Sequence, residues 1–262
     1  MSKSDAYFAE ERKQQIIELI NKQDKIAVPR LCEMFGVSAT TIRKDLKELE
    51  EANLLKRPHG GAISITKTSY EALPANKVTI MLPQKRAIAR QAIDMIEDGD
   101  TVALLTGTTV MELVKLLVEK RDLTVIVNDL KFALYLEQNT DFRIYVLSGL
   151  VRNNYDYVTS PIKCELLSIL NIDKAFITCN GFTPEVGAST PDLENALKIK
   201  EVLACSASTY LLCDSSKIGL VSFAQIVAAK DIDCLITDDG VSEEDVANIE
   251  GRVKTVIAKV ES

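Results

Sequence analysis

The sequence contains no tryptophan, and its single histidine, His59, leaves the residues beyond position 62 without this common acid–base catalyst. Carboxylates can also transfer protons, so an enzymatic activity is not excluded. No apolar run reaches the roughly 20 residues that a membrane span needs, and the polar start MSKSDAYFAEERK lacks the pattern of a signal peptide. The sequence therefore predicts a cytoplasmic protein with no membrane partner.

The six cysteines contain no C-x-x-C pair, the spacing typical of zinc and redox sites. Several lie in apolar, strand-like segments, which favours buried free thiols over zinc ligands or disulfides. We therefore expect no metal and no cofactor. The six residues are Cys32, Cys164, Cys179, Cys205, Cys213 and Cys234.

Length and charge indicate two domains of different character. At 262 residues, with 47% hydrophobic and 26% charged side chains, the chain exceeds a typical single globular domain. Residues 1–62 contain 11 Lys and Arg against 10 Asp and Glu, a charge of +1, which leaves −8 for the rest of the chain. We therefore expect a small head and a larger acidic body, and the body should not bind DNA.

The stretch from Val28 to Ala62 predicts a helix, a tight turn, a second helix and a hairpin in immediate succession. The turn is Gly36-Val37, and Ser38 lies where a helix N-cap is expected. Apolar residues of the second helix then recur at i, i+4 and i+7, so that one face can pack on the first helix. These residues are Ile42, Leu46 and Leu49.

Two further features complete a predicted winged helix-turn-helix. An earlier helix from Tyr7 to Asn21 places Ile16, Ile17 and Ile20 on its buried side, and the helix from Val28 to Phe35 crosses the DNA backbone. A basic hairpin bends at Pro58, Gly60 and Gly61 and forms the wing. Small polar groups near a helix N-terminus suit base edges, and cations suit phosphates. The predicted DNA contacts are Ser38, Thr40, Thr41, Arg43, Lys44 and Lys47 on the second helix, and Lys56, Arg57 and His59 in the wing.

An amphipathic helix with a few cations can also be a solvated surface, but here the turn, cap, apolar stripe and glycine-rich hairpin agree. These residues resemble the DeoR family of bacterial transcriptional regulators. The family's VS turn is present at Val37-Ser38. Its TIR(K/R)DL recognition helix matches Thr41-Ile42-Arg43-Lys44-Asp45-Leu46, and its R-x-HGGA wing matches Arg57-Pro58-His59-Gly60-Gly61-Ala62.

Beyond the head, residues 64–83 lack a sustained period and contain Pro74 and Pro83, which predicts a connector between a head at 1–63 and a body at 84–262. From Gln84 onward, short apolar runs alternate with helical segments. This pattern predicts an α/β body with a parallel sheet covered on both faces. The predicted strands are TVALL, LTVIVN, FRIYVL, KAFITC, STYLLC, CLIT and KTVIAKV, and the predicted helices include KCELLSIL, LENALKIKEVLACSA and SFAQIVAAK.

In parallel sheets, ligands bind beyond the carboxyl ends of the strands. The segment Thr106-Gly107-Thr108-Thr109 offers glycine, hydroxyls and helix amides to a phosphate, although a strand-to-helix turn needs small residues anyway. Other strand ends add amides, carboxylates and cations, the mixture that a sugar phosphate requires, although single pairs such as Asp214 and Lys217 are often only turn and surface residues. These candidates are Asn128, Asp129, Gly149, Arg152, Gly181, Asp214 and Lys217.

The body also resembles the effector domain of the DeoR family, which implies a Rossmann-like fold related to sugar-phosphate isomerases and CoA transferases. The family pattern D-x-G-T-T falls on Leu105 to Thr109, T-N-S on Val127 to Asp129, G-G-x-x-R on Ser148 to Arg152 and D-x-S-K-x-G on Asp214 to Gly219. The resemblance also implies an acidic effector contact at Glu194. Leu105, Val127, Asp129 and Ser148 depart from the family pattern.

The resemblance implies a sequence-specific transcriptional regulator, most simply a repressor of carbohydrate metabolism genes, whose body binds a phosphorylated sugar or related metabolite. One head buries little DNA surface, so we expect a homo-oligomer, a dimer or tetramer, on double-stranded operator DNA. One alternative is an isomerase-like enzyme with Asp214 or Glu194 as base and Lys217 as electrostatic partner. Another is a non-specific DNA-organising protein, which the acidic net charge disfavours.

Overall fold

The computed structural model describes residues 9, 11–17, 19–20, 25–51, 54–57, 60–63, 71, 73–160, 162 and 164–261. The chain divides into two compact units, Met1–Leu82 and Pro83–Ser262. The finer division into a head, a connector at 64–83 and a body stays a prediction. Within the described ranges, no helix has the length and apolar character needed to cross a bilayer.

The first unit is a small helical domain with one pair of short strands. Residues 11–17 and 19–20 are helical and form α1, where a helix was predicted from 7 to 21. The following elements are β1 (Lys25–Ala27), α2 (Val28–Phe35), α3 (Ala39–Glu51), β2 (Gly61–Ile63) and α4 (Pro74–Lys77). The predicted bounds of the helix from 28 to 35 are confirmed.

Local chemistry explains the turn between α2 and α3. Gly36 adopts a left-handed conformation with φ +63° and donates its N–H to the carbonyl oxygen of Cys32, which ends α2. Ser38 accepts the N–H of Thr41 at 3.2 Å, so its predicted role as N-cap of α3 is confirmed.

The wing strand β2 pairs antiparallel with β1, which precedes α2, and this partner was not predicted from the sequence. Gly61 is required here because a Cβ would lie 2.5 Å from the carbonyl oxygen of Ile26. Pro58 and His59, predicted parts of the wing, lie outside the described residues.

The core of the first unit confirms the two predicted apolar faces. The isoleucines of α1 and the apolar stripe of α3 are buried together. Ile80 and Met81, which fall inside the predicted connector, are also buried in this core. The buried residues of the two stripes are Ile16, Ile17, Ile20, Ile42, Leu46 and Leu49.

A buried ion pair fastens α3 to α1. Arg12 donates from Nε to Asp45 Oδ2 at 2.6 Å and from Nη2 to Asp45 Oδ1 at 3.1 Å, and the two side chains are 12% and 4% exposed. The bidentate geometry is the strong form of this contact. Asp45 is thus the residue of the TIRKDL motif that holds the helix rather than contacting DNA.

Replacing Asp45 by alanine should destabilise the first unit by about 3 kcal/mol, because it leaves a largely buried guanidinium without its carboxylate. Urea unfolding followed by circular dichroism measures this loss. Lys44→Ala removes one partner of the exposed Lys44–Glu48 pair and should cost less than about 0.5 kcal/mol. Equal effects of the two substitutions would contradict the role of Asp45.

The second unit alternates strands and helices, as predicted. Its helices are α5 (Leu82–Ile93), α6 (Thr108–Leu116), α7 (Leu130–Asn139), α8 (Leu193–Leu203) and α9 (Glu243–Glu250). Its strands are β3 (Thr101–Leu104), β4 (Thr124–Val127), β5 (Arg143–Val146), β6 (Leu150–Val151), β7 (Val158–Thr159), β8 (Ile172–Ile177), β9 (Gly181–Thr183), β10 (Gly187–Thr190), β11 (Ser206–Leu212), β12 (Ala224–Val227), β13 (Cys234–Asp238) and β14 (Thr255–Ala258).

Seven strands form one parallel sheet in the order β14-β13-β11-β8-β3-β4-β5. Successive residues of β3 pack into different cores, Ala103 on one face and Val102 and Leu104 on the other. The sheet is therefore buried on both faces, as its continuous apolar strands predicted. The α/β fold of a winged helix-turn-helix followed by a Rossmann-like domain is confirmed.

Three predicted segments differ in the structure. SFAQIVAAK, predicted as a helix, forms β12 and a short 3-10 helix, because β12 pairs antiparallel with β10 in a three-stranded side sheet. KCELLSIL forms a 3-10 helix over Glu165–Ile169. The helix predicted to run through ACSA ends at Leu203, and Ser206 already belongs to β11.

Candidate effector site and DNA interface

The predicted DNA-contacting face of α3 is open to solvent. Ser38, Thr40, Arg43, Lys44 and Lys47 are exposed, and Thr41 is partly exposed. The opposite face of α3 is buried in the core, so this helix can enter a groove with its polar side. The predicted contacts on α3 therefore lie on its accessible side, and the wing residues Lys56 and Arg57 are partly exposed.

Several of these cations have acidic neighbours within the head. Lys44 lies 4.0 Å from Glu48 and Lys47 lies 3.6 Å from Glu51, both as exposed i,i+4 pairs. Such surface pairs are weak, so a phosphate can replace the carboxylate. Arg57 contacts Glu50 in two ways. Its Nε lies 4.0 Å from the Glu50 carboxylate, and its backbone N–H donates to the same carboxylate at 2.9 Å.

Three of the predicted effector residues, Thr106, Asn128 and Asp129, lie just after the carboxyl ends of β3 and β4. The N–H of Thr106, after β3, donates to Asn128 Oδ1 at 2.8 Å, and its hydroxyl donates to Asp129 Oδ2 at 2.7 Å. Asp129 also accepts the N–H groups of Lys131 and Phe132 and so caps α7. Thr106, Asn128 and Asp129 thus join the ends of β3 and β4, and the carboxylate of Asp129 has a structural role.

We call the residues that follow the carboxyl ends of the sheet strands the effector row. The next strand in this row is β8. Gly107 packs so closely on Thr178 that a Cβ would lie 2.3 Å from its hydroxyl oxygen, and its φ of +153° also favours glycine. The next residue, Cys179, lies 3.5 Å from Cys213, sulfur to sulfur, at the end of β11. The hydrogen bond with Cys179, together with burial, raises the pKa of Cys213 well above its usual value and keeps it a thiol.

At the end of β11, a buried carboxylate lies among cations. Asp214 accepts a 3.0 Å contact from Lys217 Nζ and a hydrogen bond from the Ser216 hydroxyl. Burial raises the pKa of Asp214, but the charges of Lys217 and Lys85 outweigh it and hold this pKa below its usual value. Burial lowers the pKa of Lys217, and Asp214 more than reverses this, so the lysine stays charged.

Lys85 is the main residue that the sequence interpretation missed. It lies on α5, is 3% exposed, and acts electrostatically on Asp214. Its signal was present in the sequence, since Lys85 falls three and four residues before Ile88 and Ala89, on the apolar face of the helix. A lysine on such a face needs a buried acidic or anionic partner.

Asp238, at the end of β13, was also missed. It accepts the N–H and the hydroxyl of Ser215, each at 2.7 Å, and the N–H of Gly240 at 3.1 Å. Burial, and then the charge of Asp214, raise the pKa of Asp238 to about 6. Burial likewise raises the pKa of Asp129 to about 6, despite the hydrogen bonds from Thr106 and the start of α7.

These two raised pKa values give stability an inverse pH dependence. The folded protein holds both protons more tightly than the unfolded chain, so their contribution is greatest below about pH 4 and is lost as the pH rises through 6. Asp238→Asn removes one ionisation. The thermal midpoint of the variant minus that of the wild type should therefore increase between about pH 5 and about pH 7.5. A difference that is flat or falls over this range would contradict the prediction.

The other predicted effector residues lie in two groups. Arg152 contacts Asp192 at 2.9 Å, hydrogen bonds to the Tyr157 hydroxyl and stacks on Tyr155. Asp192 is the N-cap of α8. These contacts therefore link the β6–β7 hairpin to the first turn of α8, which contains Glu194. Gly149 lies in the same hairpin region, against the carbonyl oxygen of Thr159.

Gly181, the first residue of β9, lies beside the loop that follows Lys217. A Cβ there would lie 2.4 Å from the carbonyl oxygen of Leu220, in the loop that follows Lys217. Glu194 is partly exposed, Thr108 begins α6 and is partly exposed, and Thr109 is buried in the next position. The structure thus places Thr106, Asp129 and Lys217 after the carboxyl ends of β3, β4 and β11 in one sheet, and Arg152 beside the start of α8.

Some buried polar atoms of the second unit have no hydrogen-bond partner within the described ranges. They include the hydroxyls of Thr109 in α6, Thr159 in β7 and Thr237 in β13, and Oδ1 of Asn195 in α8.

Comparison with known proteins bears on both units. Residues 12–68 match the family model of the DeoR-like helix-turn-helix domain, and residues 81–239 match that of the DeoR C-terminal sensor domain. The chain belongs to the DeoR family. This DeoR-family protein is therefore a transcriptional regulator with a DNA-binding unit and a sensor unit, and its membership implies binding to DNA.

Relatives of the regulator cover nearly its whole length. It is 32% identical over 95% of its length to an uncharacterized HTH-type transcriptional regulator, YulB, of Bacillus subtilis, of which 96% is covered. It is 35% identical over 87% of its length to the lactose phosphotransferase system repressor of Staphylococcus epidermidis, of which 92% is covered. Among solved structures, a ribose 5-phosphate isomerase from Methanocaldococcus jannaschii is 16% identical in sequence and has a TM-score of 0.39. The match covers 51% of this chain and 53% of the isomerase chain.

Proposed function

We propose that this DeoR-family regulator represses carbohydrate metabolism genes and that a phosphorylated sugar, bound at the carboxyl edge of the sensor sheet, changes its affinity for operator DNA. The observation that carries the proposal is Lys217, a partly exposed lysine held 3.0 Å from the buried Asp214 just after the carboxyl end of β11. A lysine held at a strand end supplies a charge-assisted donor for a phosphate, and parallel sheets bind ligands at this edge.

The neighbouring strand ends supply contacts for the rest of such a ligand. Glu194, which is partly exposed, offers a carboxylate for sugar hydroxyls, and the start of α6 offers backbone N–H groups after Gly107. The name of the Staphylococcus relative, a lactose phosphotransferase system repressor, agrees with this ligand class and with repression. The other effector residues predicted from the sequence remain proposed contacts, whereas Asn128 and Asp129 hold Thr106 and the start of α7 in place.

DNA binding is proposed to use the exposed face of α3 and the wing. A ligand changes DNA affinity only if it prefers one arrangement of the protein over another. We propose that the regulator acts as a homo-oligomer, because two heads on adjacent half-sites double the contact that one small head makes. Catalysis is no part of the proposal, and the cytoplasmic location stays a prediction.

The test begins with an operator, selected from random duplex DNA by the full-length protein. Fluorescence anisotropy on that duplex, with and without a panel of hexose and pentose phosphates and the matching unphosphorylated sugars, then measures coupling. We expect at least one phosphorylated sugar to change the operator Kd, and its unphosphorylated counterpart to have no effect. A panel without any effect, or an equal effect of both forms, would contradict the proposal. NMR of the same mixtures should show no isomerisation.

A further inference from the structure

One edge of the parallel sheet is uncovered and apolar. β5 is the terminal strand, and in the described part of the chain it pairs only with β4. Strands of parallel sheets are normally buried on both faces, yet both Tyr145 and Val146 are more than 40% exposed. We call these two residues the edge patch.

The backbone of β5 is arranged to pair with a further strand. Arg143 and Leu147 donate their N–H groups to carbonyl oxygens of Leu123 and Val127, at 3.2 and 2.8 Å. Because successive residues of a strand direct their backbone groups to opposite sides, the N–H and C=O groups of Ile144 and Val146 point away from β4. Antiparallel strands form hydrogen bonds at every second residue, so Ile144 and Val146 are correctly spaced to bond to a further antiparallel strand.

We infer that the edge patch is the surface on which a second copy of this chain docks, with the two β5 strands antiparallel across a two-fold axis. With the axis beside Tyr145, the open groups of Ile144 meet those of Val146 in the second copy, and the two copies of Tyr145 face each other as a non-hydrogen-bonded pair. This register places apolar residues opposite apolar or aromatic ones, which favours pairing. The inference rests on the proposed homo-oligomeric state and names its surface.

Charge favours a second copy over a different macromolecule. Residues 144–151, IYVLSGLV, contain no charged side chain, in a protein of net charge −7. Arg143, the first residue of β5, is exposed, but in this register it lies opposite Leu147 of the second copy and not opposite the other Arg143. A strand edge with a single cation offers little to the phosphates of nucleic acid and does not select an oppositely charged protein. It also does not repel its own copy, as most of this acidic surface would.

The test compares two valines of similar exposure in the sensor unit. Val146 is 44% exposed in the edge patch, and Val118 is 49% exposed outside it, on a short 3-10 helix. Each is replaced by glutamate in the full-length protein, and sedimentation velocity with light scattering gives mass and association constant relative to the 28.9 kDa chain. We expect Val146→Glu to raise the dimer Kd at least about 10-fold and Val118→Glu to leave it unchanged. Circular dichroism melting confirms that both variants are folded.

A second variant tests the register independently of stability. At a non-hydrogen-bonded antiparallel pair the Cα atoms lie about 4.5 Å apart, within the range that a disulfide spans. Tyr145→Cys should therefore give a covalent dimer on oxidation, seen on a non-reducing gel, whereas Val118→Cys and the wild type should not.

The outcomes separate this inference from the proposed oligomeric state. A wild type that is monomeric at every concentration overturns both. An oligomeric wild type whose mass is unchanged by Val146→Glu, with no cross-link from Tyr145→Cys, overturns the surface alone and leaves the oligomer in place. Equal dissociation by both glutamate variants also overturns the surface. Docking of a different protein on the patch would appear as the second of these results.

Discussion

Replacing Lys217 by methionine should abolish the effect of a phosphorylated sugar on operator binding. Methionine keeps the length and apolar stem of lysine but removes the charge that lies 3.0 Å from Asp214. A charge-assisted contact to a buried phosphate contributes about 1.5–3 kcal/mol, so the effector Kd should rise about 10- to 100-fold. Isothermal titration with the sugar phosphate that the panel identifies measures this change. Operator Kd without effector should be unaltered, since the substitution lies in the sensor unit.

Two companion variants make the result specific. Lys85→Met should weaken the same ligand in the same direction, because both lysines act on Asp214. Lys230→Met, at an exposed lysine of the same unit, should change neither binding constant. Removing Lys217 also leaves Asp214 with less compensation, so thermal unfolding must show that the variant is folded. A folded Lys217→Met protein with an unchanged effector response would remove this lysine from the site.

Replacing Arg43 by alanine should weaken operator binding by about 5- to 100-fold, the cost of one bidentate base contact. If Arg43 instead contacts a phosphate, the loss is the same on every sequence and the log–log salt slope falls by about 0.9. Fluorescence anisotropy on the selected operator and on an unrelated duplex, over a salt series, distinguishes the two modes. The large effect is expected because Arg43 is exposed near the start of α3, opposite the buried stripe.

The matched control is Arg90→Ala, at an exposed arginine of α5 in the sensor unit. It removes the same charge from the protein, so it tests whether net charge alone explains a loss of affinity. We expect its operator Kd to match that of the wild type. Equal losses in the two variants, or an unaltered affinity of Arg43→Ala, would contradict the assignment of α3 as the reading helix.

The winged helix-turn-helix could be predicted because its signals are local. Gly36 ends a helix, Ser38 caps the next one, and the stripe from Ile42 to Leu49 follows within about three turns. Each signal acts over a few residues, so no distant partner has to be known. The wing was harder, since β2 pairs with β1, more than 30 residues earlier in the chain.

The sensor sheet could be predicted as alternating strands and helices, but not in every segment. In SFAQIVAAK, the residues Phe223, Ile226 and Val227 recur at a helical spacing. The segment nevertheless forms β12, because β10 is available as an antiparallel partner. Short apolar runs satisfy both periods, so tertiary pairing decides between them.

The effector row was also predictable only in part. Strand ends such as Thr106 and Asp214 could be named because a parallel sheet brings its carboxyl ends to one edge. The structure assigned different roles within that row, with Asp129 capping α7 and Arg152 paired to Asp192. These roles depend on which donors lie within about 3 Å, and sequence spacing does not contain that distance.

By itself, the sequence determined the order of the two units, the reading helix and the edge of the sheet at which a ligand is expected, since helix periods, caps and strand alternation are short-range properties of the chain. Only the tertiary structure decided that Lys85 joins Asp214 and Lys217, and that the β5 edge is open. Both depend on how residues far apart in sequence exclude water together, and burial of that kind is a property of the packed molecule.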